Sequence, residues 1–203
     1  MLSPIRTVAN PSHGLLIAAA FAMTNGAYAA AGDPAVQVES DGKTDATHIR
    51  AHIDIAAPPA VVWAVITDCA RSPQIIPNLE SCRIVKRDAA GKWDVREHII
   101  NWATLLPRLR TVVRNTYDTG RRLVFKLIDG DMRISEGEWR LDPIARGTRL
   151  SYNALMAPNF PVPKVLIEQA LYQDFPNLLR AIQSASVADA KKSVIAGKAL
   201  KPE

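Results

Sequence analysis

Residues 163–183, PKVLIEQALYQDFPNLLRAIQ, are the longest stretch of this chain with apolar side chains at helical spacing after its N-terminal segment. Ile167, Ala170, Leu171, Phe175, Leu178 and Ile182 fall on one side, and Gln169, Gln173, Asn177 and Arg180 fall away from it. A helix with such a stripe is marginal alone in water and needs a surface to bury it against. The preceding sequence supplies short strand-like runs, so a sheet folded against this helix is expected. Pro176 removes a backbone donor and crowds the turn before it, which predicts a kink or a restart there. Asp174 lies near the middle of the stripe, with two readings open: it caps a segment restarting at the proline, or its carboxylate points into a cavity under the helix.

Upstream, residues 47–55 alternate cleanly, with Ile49, Ala51, Ile53 and Ile55 on one face and His48, Arg50, His52 and Asp54 on the other. That is a half-buried strand. Its two histidines are too far apart in an extended segment to chelate one metal easily, and no metal or cofactor site is expected. The prolines at 58 and 59 end the strand and open a short helix over VVWAVI, with a second short helix or turn interrupted by Pro73. Further strands are expected at 81–87, 92–102, 109–117, 122–128, 134–141 and 148–156, with turns at Ala90-Gly91, Thr119-Gly120, Asp129-Gly130 and Arg146-Gly147. Connections this short favour antiparallel neighbours. The expected class is therefore α+β, a curved antiparallel sheet of about seven strands around a long C-terminal helix.

The 203 residues suffice for one ordinary domain, and 48% hydrophobic with 22% charged residues describes a globular chain. The net charge of +5 comes without dense basic runs, so no nucleic-acid partner is expected. Residues 1–29 read as a secretory signal. Arg6 precedes the apolar run GLLIAAAFAM, which is too short to span a bilayer, and Ala27-Tyr28-Ala29 has the form of a cleavage site. Export means an oxidising compartment, and the bacterial periplasm is the expected one. Residues 30–46 read as a flexible leader, 47–184 as the folded domain and 185–203 as an Ala/Lys-rich fraying tail. Cys69 and Cys82 are the only cysteines. Export makes a disulfide between them the leading reading, with two buried thiols as the alternative.

The run IDIAAPPAVVWAVITD, followed by Ile76-Pro77-Asn78, resembles the opening of the START / polyketide-cyclase superfamily, nearest its coenzyme Q-binding, cyclase and lipid-transport branch. Gly137-Glu138-Trp139-Arg140-Leu141 and Gly147-Thr148-Arg149-Leu150-Ser151-Tyr152 resemble its late strand pair. The likeness covers about residues 47–183. It implies the helix-grip fold, with two short helices after the first strand and a hydrophobic cavity between sheet and last helix. It also implies a lipid-, quinone- or polyketide-like ligand. The opening motif says little about activity.

Candidate cavity walls are Ile167, Leu171, Phe175 and Leu178 from the helix, Phe160 from the loop before it, and Trp93, Val95, Phe125, Leu127, Trp139 and Tyr152 from the sheet. A one-residue slip in any strand would invert that strand's contribution. Glu97, His98, Asn101, Glu136, Glu138 and Asp174 are candidate polar groups of the cavity, although each taken alone reads more readily as a solvated or hydrogen-bonded residue. Two loops, residues 102–107 and 157–163, are unusually apolar, and Leu105, Leu106, Arg108 and Phe160 are candidate membrane contacts at a cavity mouth. The expected function is an exported binder or carrier of a hydrophobic small molecule. The alternatives are a cyclase or hydratase using Glu97 or Asp174 as general base, and a periplasmic interaction domain with a filled core. A cavity no larger than about 300 Å³ would favour the last.

Overall fold

The computed structural model describes residues 32–41, 45–101 and 108–199. The signal segment therefore lies outside the described residues, as do Leu105 and Leu106. In chain order the elements are β1 (Ala35–Ser40), β2 (Thr47–Ile55), α1 (Pro59–Thr67), α2 (Ser72–Ile75), β3 (Leu79–Arg87), β4 (Trp93–Ile100), β5 (Leu109–Asp118), β6 (Arg122–Gly130), β7 (Met132–Ile144), β8 (Gly147–Pro158) and α3 (Lys164–Ala199). The strands form one eight-stranded sheet in the order β1-β2-β8-β7-β6-β5-β4-β3, and every neighbouring pair is antiparallel.

Alternation builds the sheet's concave face. In β2, Ile49, Ile53 and Ile55 are buried and Arg50 and His52 exposed, while in β8, Leu150, Tyr152 and Ala154 are buried. α3 lays Ile167, Leu171, Phe175, Leu178, Leu179 and Ile182 into the same core. β2 and β3 lie far apart in the sheet order, so α1 and α2 make the crossing, with Val62 and Val65 buried beneath them. Tight turns need glycine where the backbone enters the left-handed region. Gly130 has φ +118°, and a Cβ there would lie 2.2 Å from the Arg110 carbonyl oxygen.

Three differences from the sequence reading concern element extent. The leader contains β1, an eighth strand paired along β2 from Ala35↔His52 to Ser40↔Thr47. Val38 is buried in the core, the Tyr172 hydroxyl donates to the Val38 carbonyl oxygen at 3.2 Å, and Ser40 donates to Glu168. α3 also runs through Pro176 as one helix rather than restarting. Tertiary burial of Phe175, Leu178 and Leu179 on either side outweighs the lost backbone hydrogen bond. Finally, the tail continues α3 as far as Ala199. Asp189 pairs with Arg71 and Ser186 is fully buried, so the first turns of the tail pack against the body of the domain, whereas residues 191–195 are exposed.

Candidate ligand cavity

Between the sheet and α3 lies a cavity of about 230 Å³. Its apolar wall is aromatic. Tyr152 sits at the centre, stacked on Phe125 with ring centroids 5.9 Å apart, and tilted against Trp139 at 4.4 Å and Phe175 at 4.8 Å. Rings packed against Tyr152 in this way restrict one another's rotamers beside the space they border. Leu171 and Leu178 complete the α3 side, and Ile76 and Pro77 close it from the turn after α2.

The volume falls below the 300 Å³ bound, which by that criterion alone favours a filled core. It nonetheless exceeds the roughly 150 Å³ of an engineered apolar cavity that binds benzene. Space of this size suits one or two rings.

The polar wall comes from β4 and β5, whose inward rungs are Asp94↔Asn115, Arg96↔Val113, His98↔Thr111 and Ile100↔Leu109. Asp94 and Arg96 form a buried ion pair, with Arg96 Nε 3.1 and 3.0 Å from the two carboxylate oxygens. Arg96 Nη2 donates to the Thr67 carbonyl oxygen at the end of α1 and to the Tyr117 hydroxyl, and Asn115 Nδ2 donates to Asp94. Burial pushes the Asp94 carboxyl up, but hydrogen bonds from Arg96, Tyr117 and Asn115 outweigh it and hold it below its ordinary value. Such a pair is tolerable away from water only because its hydrogen-bonding groups are met from several elements at once.

Beside it, His98 lines the cavity with no hydrogen-bond partner for its ring among the described residues. Burial, and secondarily the Arg96 charge, push its pKa down to about 4, so the imidazole is neutral near pH 7. On the opposite wall Asp174 accepts from Asn78 Nδ2 at 3.0 Å, and burial pushes its carboxyl up. Asn78 has φ +63°, a left-handed backbone that asparagine tolerates. Since α3 does not restart at Pro176, the capping reading of Asp174 falls and the cavity reading stands as geometry.

Of the expected walls, Phe125, Trp139, Tyr152, Leu171, Phe175 and Leu178 line the cavity together with Asp174. Ile167 is buried in the core without lining it, and Leu127 packs at the core's margin. Trp93 and Val95 belong to the outer face. β4 turns Asp94, Arg96 and His98 inward, so the expected parity of this strand is inverted. Trp93 is covered instead by the Arg114 guanidinium, 4.4 Å from its ring centroid.

Several polar candidates also lie away from the cavity. Glu97 is bound by Arg83 and Arg110 at 2.8 Å each, and those hydrogen bonds hold its carboxyl low. Glu138 pairs with Arg122, Glu136 with Lys126 at 3.8 Å, and Asn101 donates to Glu80. Arg108 pairs with Glu80 at 3.2 Å, and Phe160 is half-buried outside the cavity wall. The buried network of Asp94, Arg96, Asn115 and Tyr117 was missed. Its signal in the sequence is two charged residues alternating along a strand, a pattern that also marks a solvated face.

Cys69 and Cys82 form a disulfide. The loop it closes contains α2, the cavity residues Ser72, Ile76 and Pro77, and Asn78.

A family model described as polyketide cyclase / dehydrase and lipid transport matches residues 55–183. No curated protein matches the chain in sequence. Among solved structures, the chain is similar to a STAR-related lipid transfer protein from Xanthomonas axonopodis, at 17% identity and TM-score 0.64, covering 76% of this chain and 93% of that one. It is also similar to a START superfamily protein from Mycobacterium smegmatis, at 16% identity and TM-score 0.61, covering 70% and 97%. The Zhui aromatase/cyclase from a Streptomyces species is similar at 17% identity and TM-score 0.57, covering 73% and 96%. At these identities the structural likeness establishes the helix-grip fold.

Proposed function

Because the chain belongs to the polyketide cyclase / dehydrase and lipid transport family of the START superfamily, we propose that it is an exported protein that binds or carries a compact hydrophobic molecule between its sheet and α3. The observation that carries this reading is the aromatic cavity wall, in which Phe125, Trp139 and Phe175 each pack against the central ring of Tyr152. Apolar ligand surface moved from water onto that wall contributes about 25 cal/mol per Å². The Cys69–Cys82 disulfide fits an oxidising compartment and supports export. Native mass spectrometry of the protein isolated from the periplasm of an expressing bacterium tests both parts of the proposal. The expected result is a chain beginning near residue 30 with a retained small-molecule adduct. A chain retaining residues 1–29 counts against export, and a bare chain that takes up no apolar probe counts against binding.

The ligand is expected to enter from a bilayer. Val165 and Leu166, 65% and 54% exposed at the start of α3, extend the apolar loop that carries Phe160, and Leu105 and Leu106 belong to the second apolar loop of the sequence. Flotation with anionic liposomes should show binding that falls several-fold in Leu105→Asp/Phe160→Asp; unchanged flotation of that variant removes the membrane contact from the proposal.

One observation favours catalysis as a second reading. His98, held neutral, and Asp174, with its carboxyl pushed up, face the same cavity and are candidates for proton transfer. Glu97 is withdrawn as a base because its carboxylate is held by two arginines away from the cavity. Chemical turnover of the retained molecule separates enzyme from carrier.

A further inference from the structure

The charges around the cavity are unevenly compensated. Arg96 lines it, but Asp94 balances the Arg96 charge within the ion pair. Asp174 lines it with only the neutral amide of Asn78 as partner. No uncompensated cation therefore faces a bound molecule from the lining residues, and the one charge left over is negative. An anion entering this space would lose its hydration and meet a carboxylate.

The remaining polar lining is neutral. His98 and Thr111 are register partners on β4 and β5, so their side chains stand side by side. Ser135 of β7 and the Tyr152 hydroxyl of β8 also face the cavity, and none of these four side chains has a hydrogen-bond partner among the described residues. The His98·Thr111 rung lies between the sealed charges at Asp94 and Arg96 and the apolar rung Ile100·Leu109. A molecule lying on the aromatic wall can thus direct an oxygen to neutral donors and acceptors.

We propose that the cavity selects an uncharged ring molecule carrying a hydrogen-bonding oxygen, as in a phenol or ring ketone, and rejects carboxylates and phosphates, with His98, Thr111 and Asp174 determining that selection. The inference rests on the cavity being a binding site. The depressed pKa of His98 agrees with it, since the imidazole stays neutral where such ligands are offered.

Calorimetric or fluorescence titration near neutral pH with naphthalene, 2-naphthol and 2-naphthoate tests it. The full chain is expected to bind 2-naphthol at least about tenfold more tightly than 2-naphthoate. Asp174→Asn should raise affinity for 2-naphthoate. His98→Leu and the more conservative Thr111→Val should each lower affinity for 2-naphthol about two- to tenfold. The ratio of 2-naphthol to naphthalene affinity should fall in both, a split that general loss of structure does not produce. Binding of 2-naphthoate as tightly as 2-naphthol overturns the inference while leaving a hydrophobic binding site in place. Failure of both naphthalene and 2-naphthol to bind overturns the cavity as a binding site, and the selection with it.

Discussion

His98 gives the cavity a pH signature. The folded chain holds this imidazole neutral down to about pH 4, whereas an unfolded chain protonates it below its ordinary 6.5. The unfolded state then binds the extra proton, so stability falls as pH drops from 6.5 to about 4, by at most roughly 3 kcal/mol. Asp174, with a raised pKa, takes up its proton first in the folded state and contributes in the opposite sense, so comparison with a variant isolates the histidine. Urea melts of wild type and His98→Gln across this range should show a steeper acid loss in wild type; parallel curves would contradict the buried neutral imidazole. Legibility at this scale was uneven. Phe125 and Tyr152 were readable because they fall on the buried side of strands that alternate regularly, and Trp139 stands opposite Tyr152 across β7 and β8. β4 was misread because pattern reasoning turns Trp93 and Val95 inward. The structure instead buries Asp94 and Arg96, satisfied by Thr67, Asn115 and Tyr117, which are distant in sequence. A strand's own residues do not reveal such partners.

Among the elements, the segment from α2 to β3 depends most on a covalent tie. Cys69 and Cys82 are 13 residues apart, and closing a loop of that size contributes about 3 kcal/mol in the chain-entropy account. The enclosed residues Ile76 and Pro77 line the cavity, and Asn78 holds Asp174. Cys69→Ser/Cys82→Ser should therefore lose about 2–4 kcal/mol in urea melts, and an unchanged midpoint would show that the bond adds nothing to the folded state. Strands β2 to β8 were legible from alternation and Gly-bearing turns. β1 was not, because AVQVES is short and flanked by polar sequence, and its strand character comes from pairing with β2 and from Tyr172 and Glu168 of α3. The unbroken path of α3 through Pro176 has a similar origin, since burial on both sides of the proline decides it.

At the scale of the molecule, the helix-grip plan was legible from the order of strands and the final amphipathic stripe, together with the family resemblance. The hollow was not, because its size depends on how rings from β6, β7 and α3 pack against Tyr152 of β8, and the same residues in other rotamers would fill it. The central claim is that this space admits a small apolar molecule. Methyl-resolved NMR during titration with naphthalene tests it most directly. The account predicts shifts concentrated on Ile66, Ile100, Leu109, Val113, Leu171 and Leu178, which line the cavity. Shifts confined to exposed Val85, Ile128, Val165 and Leu166 would contradict it.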